Sequence, residues 1–171
     1  MKRSDINPMP QYWDRYINLV PDVELSQAFD DSIRQLEQVD RAALARVGDK
    51  TYSAGKWTVK DIIQHVSDAE RVLCYRSLVF ARRDGTTPSG FEQDIFAQNA
   101  LPTRRSMDDL LDELILVRRS TKAMYDSFTD DMLTARGISW EFETAVLDMG
   151  FTMIGHQIHH LNVIAERYSQ L

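Results

Sequence analysis

The sequence predicts an all-α fold, a four-helix bundle with long crossover connections, and three observations carry that reading. Apolar residues recur at three- and four-residue steps through four separate runs, the period that gathers them on one helix face. No stretch alternates strictly enough to claim a strand. No repeat of 20 to 50 residues and no low-complexity tract is present, so helix packed on helix is the way left to bury those faces.

Residues 1 to 22 hold Pro8, Pro10 and Pro21 around Tyr12-Trp13-Asp14-Arg15-Tyr16-Ile17-Asn18-Leu19-Val20. The prolines forbid one long helix, yet the aromatics need somewhere to pack, and a short helical turn laid across the bundle is expected. From Val23 to Val47, Leu25, Ala28, Phe29, Ile33, Leu36, Val39, Ala43, Leu44 and Val47 form one amphipathic stripe, closed by Gly48-Asp49. Tyr52 to Trp57 reads as a connector. Thr58 followed by Asp61 resembles a capping box and opens a second helix that runs to Arg83. Asp84 to Gly90 is rich in Gly and Pro and breaks the chain, and Phe91 to Asn99 reads as a short helix ended by Leu101-Pro102. Ser106 and Asp109 mark a third long helix through Met107, Leu110, Leu111, Leu114, Val117, Thr121, Met124, Tyr125 and Phe128. Thr129 to Phe142 reads as a loop with one short turn.

The last helix, Glu143 to Tyr168, organises the rest. At about 100° per residue, Leu147, Phe151, Ile154, Ile158, Leu161, Ala165 and Tyr168 share a core-facing side. A second apolar strip holds Ala145, Val146, Met149, Met153, Val163 and Ile164, with His156 and His160 inside it. Only the arc through Asp148, Thr152, Gly155, His159, Asn162 and Glu166 reads as solvated, so His159 is expected to face water. The four runs of roughly 20 to 26 residues would span about 30 to 39 Å each. Connections of ten or more residues between them exceed what a minimal up-down bundle needs. One long crossover would make the second and fourth long helices neighbours.

His156 and His160, four apart, place two imidazoles one above the other, where one divalent ion can accept a nitrogen from each. With His159 facing water, His65 is the only histidine left. It lies on the second long helix about 60° from Ile62, at the border of the stripe Ile62, Val66, Ala69, Leu73 and Phe80, and can look inward. Core histidines bonded to backbone or carboxylates would be the plain alternative, but two stacked imidazoles in an apolar strip are hard to satisfy without a cation. Three histidines with an open position suit Zn²⁺, Ni²⁺ or Fe²⁺ alike. Such an ion lowers the pKa of a bound water or thiol.

Around the histidines, Asp61, Asp68 and Glu70 are candidates to accept an imidazole proton or to act as general base, although a solvated face also explains acids there. Arg76, on the same side as His65, is a candidate for an anionic substrate group, with a structural ion pair as its alternative. Cys74 is the single cysteine. Apolar neighbours and the lack of a histidine within one turn make it a buried structural thiol rather than a nucleophile.

At 171 residues, with 43% hydrophobic and 27% charged, the chain suits one domain over 1–171 that folds without a staple. A net charge of -6 speaks against nucleic-acid partners, which require clustered Lys and Arg. Arg82-Arg83, Arg104-Arg105 and Arg118-Arg119 are short, interleaved with acids and read as solvated helix ends. With no run of about 18 apolar residues and no signal-peptide pattern, the expected location is cytoplasmic, away from membranes. Surplus apolar surface on the fourth helix and the aromatic N-terminal segment leaves room for a homodimer.

Trp57-Thr58-Val59-Lys60-Asp61-Ile62-Ile63-Gln64-His65-Val66-Ser67-Asp68-Ala69-Glu70-Arg71, Phe80-Ala81-Arg82 and the segment Gly155 to Tyr168 together make the chain resemble the DinB-like superfamily. That resemblance implies a four-helix bundle, often dimeric, with a divalent metal held at the positions of His65, His156 and His160. It also implies a small-molecule substrate and, in characterised relatives, a low-molecular-weight thiol such as bacillithiol or mycothiol. The leading expectation is therefore a metal-dependent thiol S-transferase acting on an electrophile. The alternatives are a hydrolase using metal-bound hydroxide and a non-catalytic metal- or ligand-binding stress protein.

Overall fold

The computed structural model describes residues 1–171. After a single 3-10 turn at Arg3–Asp5, the helices are α1 Asp14–Ile17, α2 Leu25–Glu37, α3 Arg41–Val47, α4 Val59–Arg82, α5 Gln93–Ala100, α6 Met107–Asp126, α7 Asp130–Leu133 and α8 Val146–Arg167. Strands β1 Arg136–Ser139 and β2 Phe142–Ala145 precede α8. No helix is long and apolar enough to cross a membrane.

The caps follow their residues. Thr58 and Asp61 form a reciprocal capping box at the start of α4, the Thr58 hydroxyl accepting from Asp61 N–H at 3.1 Å and the Asp61 carboxylate from Thr58 N–H at 2.8 Å. Ser106 and Asp109 repeat it on α6. Each box satisfies backbone donors that the first helical turn leaves free.

Three expectations about elements need correction. The single helix from Val23 to Val47 is two, because Asp40 accepts a hydrogen bond from Ala43 N–H at 2.9 Å and starts α3 afresh; a short acid that bonds its own backbone favours a cap over a helix interior. The fourth long helix begins at Val146 rather than Glu143. The stretch before it, read as loop, pairs as an antiparallel hairpin with Arg136 opposite Ala145 and Ser139 opposite Phe142. Its alternation is inverted: Ser139 is fully buried while Ile138 is 42% exposed, so a search for apolar residues at every second position passes over it.

Four helices form the bundle. Helix α4 packs on α6 and α8, and α2 packs on the same two, giving the ring α2–α6–α4–α8. Side-chain contacts set the directions. His65 meets His156, and Ser77 meets Met149, so α4 and α8 are antiparallel. Glu70 meets Arg118, and Ser77 meets Tyr125, so α4 and α6 are parallel. Two neighbours running the same way need a long return, which residues 83–106 with α5 supply. Helices α4 and α8 are neighbours, as a crossover connection allows.

The apolar interior is divided. One cluster gathers Ile17, Phe29, Leu73, Phe80, Tyr125, Phe151 and Ile154, among others. The second gathers Leu36, Ile62, Val66, Leu111, Leu114 and Ile164, among others. Ser32, Glu70, Arg118, His156 and Gln157 are all buried and lie in sequence between members of the two clusters; His65 is buried within the second. Burying polar groups costs stability unless each finds a partner.

The solvated arc expected on α8 holds only in its later half. His159, Asn162 and Glu166 are exposed, but Asp148, Thr152 and Gly155 are buried: Asp148 accepts from Ala145 N–H at 2.7 Å in its own helix cap, and α1 packs on α8 at Gly155. Gly155 permits this approach: a Cβ there would overlap the Tyr16 carbonyl oxygen, and only glycine lets two backbones come so close. The N-terminal segment and this part of α8 thus cover each other within one chain. Apolar side chains left exposed include Leu19 in the N-terminal segment, Tyr75 on α4, Ile95 on α5, Leu116 on α6 and Trp140 at the hairpin turn.

Candidate metal centre

Helix α4 presents His65 and α8 presents His156 and His160, and their ring nitrogens converge. His156 Nε2 lies 3.2 Å from His65 Nε2 and 3.0 Å from His160 Nε2, and one ligand atom from each residue lies within 4.8 Å of the others. Two nitrogens bound at about 2.0–2.1 Å to a tetrahedral ion are about 3.3 Å apart, close to both spacings. Burial holds all three rings neutral. It is the main cause that lowers His65 to about 4 and His160 to about 3, and that carries His156 well below the ordinary range. Neutral imidazole is the form that ligates metal.

His160 Nδ1 is buried with no hydrogen-bond partner, so the ring is oriented by whatever its Nε2 meets. His159, beside the cluster, turns outward against the Tyr16 ring. Trp57 packs on His65 with ring centroids 4.8 Å apart, and Tyr16 stands edge-on to His156 at 5.2 Å.

The structure takes the candidate acids elsewhere. Asp61 caps α4 through Thr58. Asp68 accepts from Gln64 at 3.0 Å and pairs with Arg71, its carboxyl raised by burial. Glu70, read as a surface acid, is 2% exposed and receives Arg118 Nε and Nη2 at 2.8–3.0 Å. Arg118 itself corrects the reading of Arg118-Arg119 as a solvated end: it is 0% exposed and also donates to Ser32 Oγ and the Met153 carbonyl, each at 3.0 Å. An Arg beside a second Arg looks like a surface pair, and only the partner acid one helix away reveals the difference. The carboxylate whose charge reaches His65 is Asp94 of α5, which no spacing argument links to a residue on another helix.

Beside the cluster opens a cavity of about 210 Å³, walled by Tyr12, Trp13, Tyr16, Phe91 and Trp140 and lined also by His65, His156, Thr152 and Arg76. Arg76 has no acid partner, which removes the ion-pair alternative: its Nη1 donates to Ser139 Oγ at 3.0 Å and its Nη2 to the Ser89 carbonyl at 2.9 Å. Cys74 is half-buried against Met124 Sδ at 3.7 Å, its thiol raised by burial, and does not line the cavity.

Residues 24–164 match the family model described as the DinB superfamily. Among solved structures, the fold is shared with YfiT from Bacillus subtilis, described as a probable metal-dependent hydrolase with an unusual four-helix bundle topology. That likeness has 16% identity over 90% of this chain and 84% of that one, with a TM-score of 0.66. A mycothiol-dependent maleylpyruvate isomerase shares it at 16% identity and a TM-score of 0.63, over 94% of this chain. The match covers 62% of the isomerase, less than two thirds of its length. Identities this low show the fold alone. No curated protein matches by sequence.

Proposed function

The chain belongs to the DinB superfamily, and from that premise we propose that it is a divalent-metal-dependent enzyme whose ion is held by Nε2 of His65, His156 and His160. The reaction proposed is transfer of a low-molecular-weight thiol to an electrophilic small molecule. The observation that carries this reading is the convergence of three neutral imidazole nitrogens beside an aromatic-walled cavity. When bound, such an ion lowers the pKa of a thiol at its open position and polarises a carbonyl.

This chain's residues supply the rest. His65 and His156 reach the cavity, so a substrate lodged there touches the reacting end. Ring contacts from Tyr16 and Trp57 hold His156 and His65, and α1 laid over α8 keeps bulk water from that side. Neutral imidazole serves Zn²⁺, Ni²⁺ and Fe²⁺ alike, so loading each in turn identifies the active form.

Metal-loaded protein should transfer a thiol to a model electrophile such as 1-chloro-2,4-dinitrobenzene. His156→Ala should lose both metal and turnover while circular dichroism keeps its helical signal. A description as a metal-dependent hydrolase attaches to YfiT and supports hydrolysis as a second reading. Turnover of 4-nitrophenyl acetate with no thiol added would favour it.

A further inference from the structure

Three residues that line the cavity each hold a buried polar atom with no partner: Arg76 Nε, Trp13 Nε1 and Thr152 Oγ1. Each can donate a hydrogen bond. They come from α4, from the residue preceding α1 and from α8, so three separate parts of the chain that line one space each hold an unpaired donor. An unsatisfied buried donor costs its full desolvation, and a buried charge without a counter-charge costs more. Arg76 is 2% exposed, and its two contacts, Ser139 Oγ and the Ser89 carbonyl, are neutral. Glu92, the one acid lining the cavity, is exposed on the rim, and none of the ion pairs of the structure includes it.

The position of these donors gives the cavity a direction. On the antiparallel pair α4 and α8, His65 stands beside His156 and Ser77 beside Met149. Thr152 therefore falls between those levels, one turn from His156, and Arg76 closes the far end. Eleven residues separate His65 from Arg76, about 16 Å of helix rise. The space between is walled by Trp13, Tyr16, Phe91 and Trp140 and by Ala69 and Leu73.

We propose that this wall is a carboxylate subsite: the cavity takes a small molecule with a flat apolar body and a carboxylate at one end, received by Arg76, Trp13 and Thr152, with its opposite end toward the histidines. A carboxylate supplies the missing counter-charge and acceptor lone pairs enough for all three donors. The aromatic walls fit a planar body. Carboxylate chemistry could reach this site on the electrophile or on the thiol. The inference rests on the proposed function for which end reacts, but the binding it asserts does not need the metal.

The test is isothermal titration of untagged protein with benzoate and with benzamide, in metal-loaded and in chelator-treated samples. Benzoate should bind in both samples, at least about tenfold tighter than benzamide, the discrimination that a charge-assisted contact supplies. Arg76→Met should remove that preference while metal content stays unchanged. Thr152→Val, a substitution of matched shape, should weaken benzoate several-fold and leave benzamide alone, and it decides the matter if Arg76→Met fails to fold. Equal binding of the two probes, no binding of either, or benzoate binding that vanishes with the metal would overturn the subsite. Benzoate binding that survives in His156→Ala, with no metal and no turnover in any sample, would uphold the subsite while removing the proposed function. Competition separates the sources: benzoate acting against the electrophile alone places the carboxylate there, and against the thiol alone places it on the thiol.

Discussion

At the residue scale, the convergence of His65, His156 and His160 is legible from helical spacing, because i and i+4 share a face and an inward border position on a second helix can meet them. The buried ion pair is not legible in this way, since nothing local distinguishes Arg118 from the exposed Arg119. The neutrality of the histidines has a consequence for pH. Their folded pKa values lie below the ordinary 6.5, at about 4 for His65 and about 3 for His160, so between those values and 6.5 the unfolded chain binds more protons than the folded one. Stability of the metal-free protein is therefore full above about pH 6.5 and falls as pH drops toward 4. His65 alone contributes roughly 3 kcal/mol to that loss. Urea melts of chelator-treated protein at pH 7 and pH 5 check the sign: a midpoint unchanged or higher at pH 5 would contradict it.

At the element scale, α1 is the lid of the site, and its seat is the bare backbone of Gly155. A short helical turn across the bundle is foreshadowed by aromatics between prolines, but its landing place is not, because a lone glycine in a helix pattern does not name what approaches it. Gly155→Ala should push α1 from α8 at a cost of about 1–3 kcal/mol. It should also shift Trp13 emission to longer wavelength as the ring gains water, measured with Trp57 and Trp140 replaced by Phe. The hairpin before α8 escapes a pattern search for a reason tied to the cavity. Ser139 spends a buried strand position on Arg76, and local rules are most often broken where a site needs them broken. Ser139→Val should keep the hairpin but strand Arg76 Nη1, so benzoate affinity should fall several-fold and the melting temperature should fall with it.

At the scale of the whole molecule, one side chain joins the four bundle helices: Arg118 of α6 bonds Glu70 of α4, Ser32 of α2 and the Met153 carbonyl of α8. Four long helices are readable from periodicity, but their ring order is not, since connection length permits several arrangements and only contacts such as these select one. Arg118→Met should cost about 3–5 kcal/mol by stranding Glu70, and adding Glu70→Met should recover most of it; guanidinium melts of the single and double variants measure both. The polar layer through Arg118 lies next to the histidines, which ties the architecture to the account's central claim, that the bundle is built around one bound ion. Elemental analysis of untagged protein purified without added metal addresses it directly. Close to one equivalent of a divalent transition metal per chain is expected, absent from His156→Ala with helicity unchanged. A chain that carries none and takes up none when offered Zn²⁺, Ni²⁺ or Fe²⁺ would contradict it.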